Sequence, residues 1–236
     1  MLRSPADFTQ EAAEIVKAFR AAGVPKGGSL LHLGCGAGGL DFHLNHEFLV
    51  TGLDISAQML KHARSTNPQV QYLAGDVRQA RLQRLFDAVL LHDAQAYLTS
   101  PAELKATYET AAAHLKPGGV LVCASQDLRS GFQQHRVHGG VTRTHGATTV
   151  TTMEVDFDPD PGDHAFDKTF VFLIRDQAGQ RVETDVHTMG LWDLVELLRP
   201  MRAAGFAAQV STPKIPGKGE GDWVLVTATT VPPTEG

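Results

Sequence analysis

Apolar positions along the chain change rhythm twice. Between residues 9 and 22 they fall at helical spacing, with Ala12, Ile15, Val16 and Phe19 on one face, Thr9 as the N-cap and Gly23 just past the end. That spacing predicts an amphipathic helix. From residue 29 onward, short continuous apolar runs at 29–33, 48–53, 70–73, 88–91 and 119–124 alternate with helical stretches. Runs of that length, bounded by Gly, Asp and Pro, describe strands covered on both faces by crossover helices. Ser56 caps a helix over 57–64, and Pro101 opens another running to about residue 115, closed by the Lys116-Pro117-Gly118-Gly119 turn.

Beyond residue 126 the rhythm turns polar and then alternating. A glycine-containing stretch carrying His135, His138 and His145 reads as a solvated lid loop. No Cys or carboxylate stands at ligand spacing from these histidines, so no metal is expected there. Segments 149–157, 169–174 and 181–187, rich in Val, Thr and Phe, read as an antiparallel ribbon turning at Asp158-Pro159-Asp160-Pro161-Gly162 and at Asp176-Gln177-Ala178-Gly179. A helix over 191–204 ends at Gly205, and strands at 207–211 and 223–229 flank a loop at 213–221. The expected fold is α/β: a doubly wound seven-stranded sheet, mostly parallel, plus an inserted antiparallel β ribbon. One domain spans 1–236 in this reading, with the parallel sheet in 1–126, the inserted loop and ribbon in 127–190, and the terminal helix and strand pair in 191–236.

Composition narrows the function class. A chain of 236 residues, 42% hydrophobic and 20% charged, can bury a full core and sits with ordinary globular proteins. No apolar run approaches the roughly 20 residues that cross a bilayer, and residues 1–5 lack a signal peptide's apolar stretch. A soluble cytoplasmic protein without membrane partners is expected. Cys35 and Cys123 fall in a tight turn and a buried strand, which gives no disulfide framework and fits a reducing compartment. A net charge of −5 without a Lys or Arg cluster leaves no electrostatic footprint for nucleic acid or anionic lipid. A small-molecule substrate is the expectation.

The candidate chemistry begins at Gly34-Cys35-Gly36-Ala37-Gly38-Gly39, directly after an apolar strand and before a helix start. Glycines there let the backbone turn sharply and approach a ligand, and free amides at a helix start favour a carboxylate or phosphate. A glycine-rich turn without ligand is the competing reading. Asp54 ends the next strand, about 20 residues after Gly34, where a carboxylate can accept from ribose hydroxyls; alternatively it caps the following helix. The same spacing satisfies the dinucleotide pattern through Gly34, Gly36 and Gly39, so a nicotinamide-dependent oxidoreductase remains a rival. Against it, no Tyr-x-x-x-Lys pair follows.

With the Gly75-Asp76-Val77 turn, the Leu115-Lys116-Pro117-Gly118-Gly119 turn, the ribbon and the terminal strand pair, the chain resembles the class I S-adenosylmethionine (SAM) dependent methyltransferases, most firmly over residues 29–125. The resemblance implies SAM as cofactor and a sheet with an antiparallel last strand. Leu33, Gly34, Cys35, Gly36 and Gly38 would cradle its methionine part, with His92 beside it, and Asp54 would hold the ribose. Ile55 and Met59 would pack on the adenine, whose edge Asp76 and Val77 would read. The family usually carries an acidic residue two before the first glycine; here His32 stands there, which keeps a non-catalytic SAM-binding module in view. The run Thr184-Asp185-Val186-His187-Thr188-Met189-Gly190-Leu191-Trp192 resembles the branch that methylates amino groups on nucleotide-linked sugars.

Methyl transfer to an amine needs positioning above all, and a base near neutral pH to keep the nitrogen unprotonated. Asp93, Tyr97 and His187 are the catalytic candidates, with residues 127–190 forming the acceptor side. Tyr97 as a core residue, His187 as a satisfied sheet residue, and the ribbon as a homodimer interface are the alternatives.

Overall fold

The computed structural model describes residues 3–126, 128–215 and 223–230. Helix α1 is Thr9–Ala21. Thr9 is its first residue and not its cap: the chain enters through a 3-10 turn, Pro5–Phe8, where Ser4 and Asp7 form a capping box, with the Ser4 N–H donating to Asp7 Oδ2 at 2.7 Å. Proline at the first position supplies the fixed φ that starts this turn.

Strands β1 (Ser29–Leu33), β2 (Leu49–Asp54), β3 (Gln71–Ala74), β4 (Phe86–His92) and β5 (Leu115–Gln126) run parallel, with helices α2 (Asp41–Leu44), α3 (Ala57–Thr66) and α4 (Pro101–Ala113) between them. Ser56 caps α3 as expected, its Oγ accepting from the Met59 N–H at 3.2 Å. Strand β5 begins four residues before the expected 119. Leu115 already pairs with Phe86, and the Lys116–Gly119 turn is absorbed as an irregularity in register in which Gly118 takes φ +74, a conformation glycine adopts without steric cost.

Helix α5 (Leu194–Ala203) and strands β10 (Phe206–Ser211) and β11 (Trp223–Thr230) follow, the two strands completing the sheet, and β11 lies antiparallel to β5. The seven-stranded order is β10-β11-β5-β4-β1-β2-β3. Every residue of β1 after Ser29, and all of β4 except Asp87, is buried. Ile15 and Phe19 pack one face of the sheet, and Tyr108, Leu104 and Met201 the other. The continuous apolar runs thus have their cause in two-sided burial. The expected 191–204 helix starts late because Asp193 caps it with Glu196, while Trp192 buries its ring and donates Nε1–H to Leu98 O at 2.9 Å. Of the expected 213–221 loop, residues 216–221 lie outside the described residues, as do 127 and 231–236.

The inserted segment differs most from expectation. Strands β6 (Val137–His145), β7 (Thr148–Phe157), β8 (Ala165–Asp176) and β9 (Gly179–Gly190) form a separate four-stranded antiparallel sheet. The stretch expected as a lid loop is therefore mostly edge strand. Its alternation is broken between His138 and Val141 by a bulge at Gly139 and Gly140, the latter at φ +51, which hides the strand from a period-two reading. Cross-strand hydroxyl pairs, Thr142 with Thr151 at 2.9 Å and Thr144 with Thr149 at 3.0 Å, join it to β7.

Candidate active site

The strand order reverses between β1 and β4, so the crevice beyond their carboxyl ends is where a doubly wound sheet receives a ligand. Gly34 leaves β1 there at φ +75, and a Cβ on it would stand 2.4 Å from the Ala94 Cβ just past β4. Only glycine lets these two exits touch. The Gly34 and Cys35 N–H groups donate to Leu53 O at 2.7 and 3.0 Å, and the Gly36 N–H donates to Asp54 Oδ2 at 2.8 Å. Asp54 Oδ1 accepts from the Ser56 N–H at 2.8 Å. Asp54 thus both shapes the glycine loop and tethers the start of α3, while staying half-exposed. Gly36, at φ +53, has open space where a side chain would stand.

Behind the loop lies a buried polar chain. His32 Nδ1 is 2.6 Å from Asp41 Oδ1, the Tyr72 hydroxyl donates to Asp41 Oδ2 at 3.0 Å, and Asn67 Nδ2 donates to both Tyr72 Oη and Gly38 O, at 2.9 and 2.8 Å. A carboxylate therefore does stand beside position 32, contributed by Asp41. Cys35 turns its thiol into the core, and burial together with the Asp41 and Asp54 charges raises it far out of the nucleophilic range.

Along the rest of the expected cofactor groove, Leu33 is buried, Met59 is half-buried, and Ile55 is 70% exposed. Val77 packs against the core. The Asp76 carboxylate is gripped by Arg78, from Nε at 2.9 Å and Nη2 at 2.7 Å, which lowers its pKa despite partial desolvation. Arg78 in turn pairs with Glu103.

His92 ends β4 in a buried position that the sequence does not disclose. Its Nε2 lies 2.6 Å from Glu11 Oε2 of α1, and Phe8 meets its ring edge-on. Arg3 donates to the other Glu11 oxygen at 2.7 Å. Glu11, His92 and Asp93 bring ligand-type atoms within 4.8 Å of one another; the hydrogen-bond length of the Glu11–His92 contact and the guanidinium on Glu11 make this an ion-pair network. Burial alone would lower the His92 pKa, but the Asp93 and Glu11 carboxylates outweigh it and raise it. Burial alone would raise Glu11, and His92 with Arg3 pulls it well below the carboxylate range.

Beside Ala94 opens a cavity of about 380 Å³, between the carboxyl ends of β4 and β5 and the four-stranded sheet, with Asp93, Gln95, Tyr97, Ser125, Glu154 and Lys168 among its lining residues. Asp93 takes a left-handed φ of +56, uncommon for a residue with a side chain. The Tyr97 hydroxyl lies 3.0 Å from His187 Nδ1 across 90 residues of chain, and His187 Nε2 lies 3.2 Å from Asp185 Oδ2. Tyr97 is 55% exposed, so the core reading of it is wrong. Partial burial of the ring, with the Asp93 and Glu154 carboxylates, raises the Tyr97 pKa.

Glu11, Glu154 and Lys168 were not foreseen. Lys168 had a signal: it sits between Phe166 and Phe170 on the inward side of β8, a cation at an apolar-face position. Its Nζ lies 3.2 Å from Asp156 Oδ1, and Asp156 Oδ2 is 2.7 Å from His138 Nε2. His138, expected in a solvated loop without acidic partner, is thus tied to a buried carboxylate.

A methyltransferase domain family matches residues 30–119. A dTDP-3-amino-3,4,6-trideoxy-alpha-D-glucopyranose N,N-dimethyltransferase from Streptomyces venezuelae is 33% identical over 217 residues, covering 86% of this chain and 85% of its own. Among solved structures, SAM-bound CalS10, an amino pentose methyltransferase from Micromonospora echinaspora, superposes with a TM-score of 0.82 at 29% identity, covering 97% of this chain and 92% of its own. DesVI of Streptomyces venezuelae gives 0.83 at 29% identity over 95% and 92% of the two chains. Identity of that extent with one relative, on the same fold as the others, means that this chain belongs to the SAM-dependent methyltransferases, as an enzyme with SAM as its cofactor.

Proposed function

We propose that this enzyme methylates the amino group of a nucleotide-linked aminosugar. The observation that carries the reading is Tyr97, which lines a cavity that adjoins the glycine loop through Ala94 and whose hydroxyl meets His187 at 3.0 Å. The cavity's volume falls at the lower end of the roughly 300–1,000 Å³ usual for small-molecule sites, and the aminosugar specificities named for the relatives favour such an acceptor.

In this reading residues 33–77 capture SAM. The open space at Gly36, the half-exposed Asp54 carboxylate and the apolar surface of Ile55 fit the group. Leu33, Gly34, Cys35, Gly36 and Gly38 cradle its methionine part through their backbone, near His92. Asp54 takes the ribose, Ile55 and Met59 the adenine face, and Asp76 with Val77 the adenine edge. When bound, SAM supplies a methyl group on a positively charged sulfur, open to in-line displacement.

The chain's own residues orient the acceptor and handle its proton. Holding the reactants in line can contribute on the order of 7–11 kcal/mol. The acceptor nitrogen forms its bond to the methyl carbon as the carbon–sulfur bond breaks, and one proton must leave the nitrogen. Asp185 favours the His187 tautomer with its proton on Nε2, leaving the Nδ1 lone pair to take the Tyr97 hydroxyl proton as Tyr97 receives one from the amine. Asp93 flanks the path.

Residues 127–190 thus form the acceptor side within one domain of 1–236. The outward face of the four-stranded sheet, with Met153, Val171, Leu173, Val182 and Val186, supports a homodimer through that face. Two buried free thiols, Cys35 and Cys123, suit the cytoplasm.

The test offers SAM with dTDP-3-amino-3,6-dideoxyglucose and follows products by mass spectrometry. Methylated sugar with S-adenosylhomocysteine is expected. Stabilisation by NADH but not by SAM or S-adenosylhomocysteine would contradict the cofactor, and absence of methylated sugar would sink the acceptor.

A further inference from the structure

Glu154 projects from β7 into the cavity wall, opposite the Asp93 side of the main sheet. Its Oε2 is 3.5 Å from the Lys168 Nζ, a long contact, whereas Lys168 sits closer to Asp156, at 3.2 Å. Asp156 is further held by His138. One buried ammonium therefore serves two carboxylates, and Arg3, the other cation in the lining, is engaged by Glu11. The wall and its immediate backing set three cationic groups, Arg3, Lys168 and the His92 that bridges Glu11 and Asp93, against four carboxylates: Glu11, Asp93, Glu154 and Asp156. A cavity so charged attracts an ammonium and repels an anion.

Position sharpens the point. The Glu154 side chain is 36% exposed, against 7% for Lys168, so Glu154 is the member of the pair that a ligand can reach. Its charge, with that of Asp93, is felt at the Tyr97 hydroxyl, whose pKa it helps to raise. A cation held at Glu154 therefore lies within electrostatic reach of the Tyr97–His187 pair.

We propose that Glu154 reads the acceptor's amino group: it binds the ammonium form of a small-molecule amine beside Tyr97, and so sets the preference for amine over hydroxyl acceptors. This rests on the amine-methylating reading above. No bond other than a hydrogen bond changes at Glu154 itself. The ammonium gives up its proton toward Tyr97, and the neutral nitrogen becomes the nucleophile. Lys168 acts as a positioning residue, its ammonium lying between Glu154 and Asp156.

The experiment compares dTDP-3-amino-3,6-dideoxyglucose with its 3-hydroxy counterpart by calorimetry, in the presence of saturating S-adenosylhomocysteine, on the full chain and on Glu154→Gln and Glu154→Asp. Wild type should bind the amine at least tenfold more tightly than the alcohol. Glu154→Gln should reduce that ratio to about threefold or less, and Glu154→Asp should restore part of it. Unchanged S-adenosylhomocysteine affinity and melting temperature in both variants establish that they are folded. A ratio that survives in Glu154→Gln overturns the role of Glu154 and leaves the aminosugar reading standing. If wild type binds neither sugar, both fall together.

Discussion

Replacing Glu11 by Gln removes the charge that links α1 to the end of β4 across 81 residues of sequence. Both side chains of the Glu11–His92 pair are at most 5% exposed. Stripping one partner from a buried ion pair costs roughly 3–5 kcal/mol when the other charge is left uncompensated. Gln keeps an acceptor for the imidazole and His92 can shed its proton, so the expected loss is about 1.5–3 kcal/mol, the value of a hydrogen bond to a charged group. For a domain near this size each kcal/mol moves the melting point by roughly 2–4 °C, which gives a fall of about 3–12 °C. The pH dependence follows from the two shifts. Glu11 is depressed in the folded state, so its contribution is full above its ordinary value of 4.5 and fades as pH falls through the lower folded value. His92 is raised, so its contribution is full below its ordinary 6.5 and is lost as pH rises through the elevated folded value. The gap between wild type and Glu11→Gln is therefore widest between those two ordinary values and narrows in alkali. Circular-dichroism melts at pH 6 and pH 9 read it directly. Equal gaps at both pH values, or a variant melting within a degree of wild type at pH 6, would refute the coupled pair.

Asp54→Ala should weaken S-adenosylhomocysteine binding at least tenfold by calorimetry, since a hydrogen bond to a charged group is worth roughly 1.5–3 kcal/mol and 1.4 kcal/mol is tenfold; unchanged affinity in a folded variant would confine Asp54 to shaping the loop. Gly38→Ala places a Cβ 2.6 Å from the Tyr72 hydroxyl at φ +73. It should cost about 2–4 kcal/mol in urea unfolding, from left-handed strain and overpacking together, and a neutral result would mean that the buried chain yields. Tyr97→Phe and His187→Ala should each lower kcat on the aminosugar by about a hundredfold, the lower end of general-base assistance, while S-adenosylhomocysteine affinity stays within threefold. The double variant should be no slower than the worse single one, because both act on one proton path; additive losses would separate their roles.

Local pattern alone marked the strands of the parallel sheet, the Ser56 cap and the glycine loop, because each is written within a few residues: two-sided burial forces continuous apolar runs, and a backbone that must turn sharply against Ala94 has to be glycine. The antiparallel last strand came with the family resemblance, which the terminal strand pair helped to carry. Strand β6 was not, since the bulge at Gly139 and Gly140 breaks its period and its polar face carries no apolar signal. Tyr97 and His187 were each visible as candidates, but their contact was not. It depends on how the four-stranded sheet docks, with Trp192 Nε1 bound to Leu98 O and Arg129 bound to Leu191 O at 2.8 Å. The Glu11–His92 pair and the Glu154–Lys168–Asp156 cluster have the same origin. Period two says which side of a strand a residue faces, and period 3.6 does so for a helix, but neither says which distant element will face it. Only the packing of α1 and the inserted sheet against the main sheet brings those charges together, where low exposure gives them their strength.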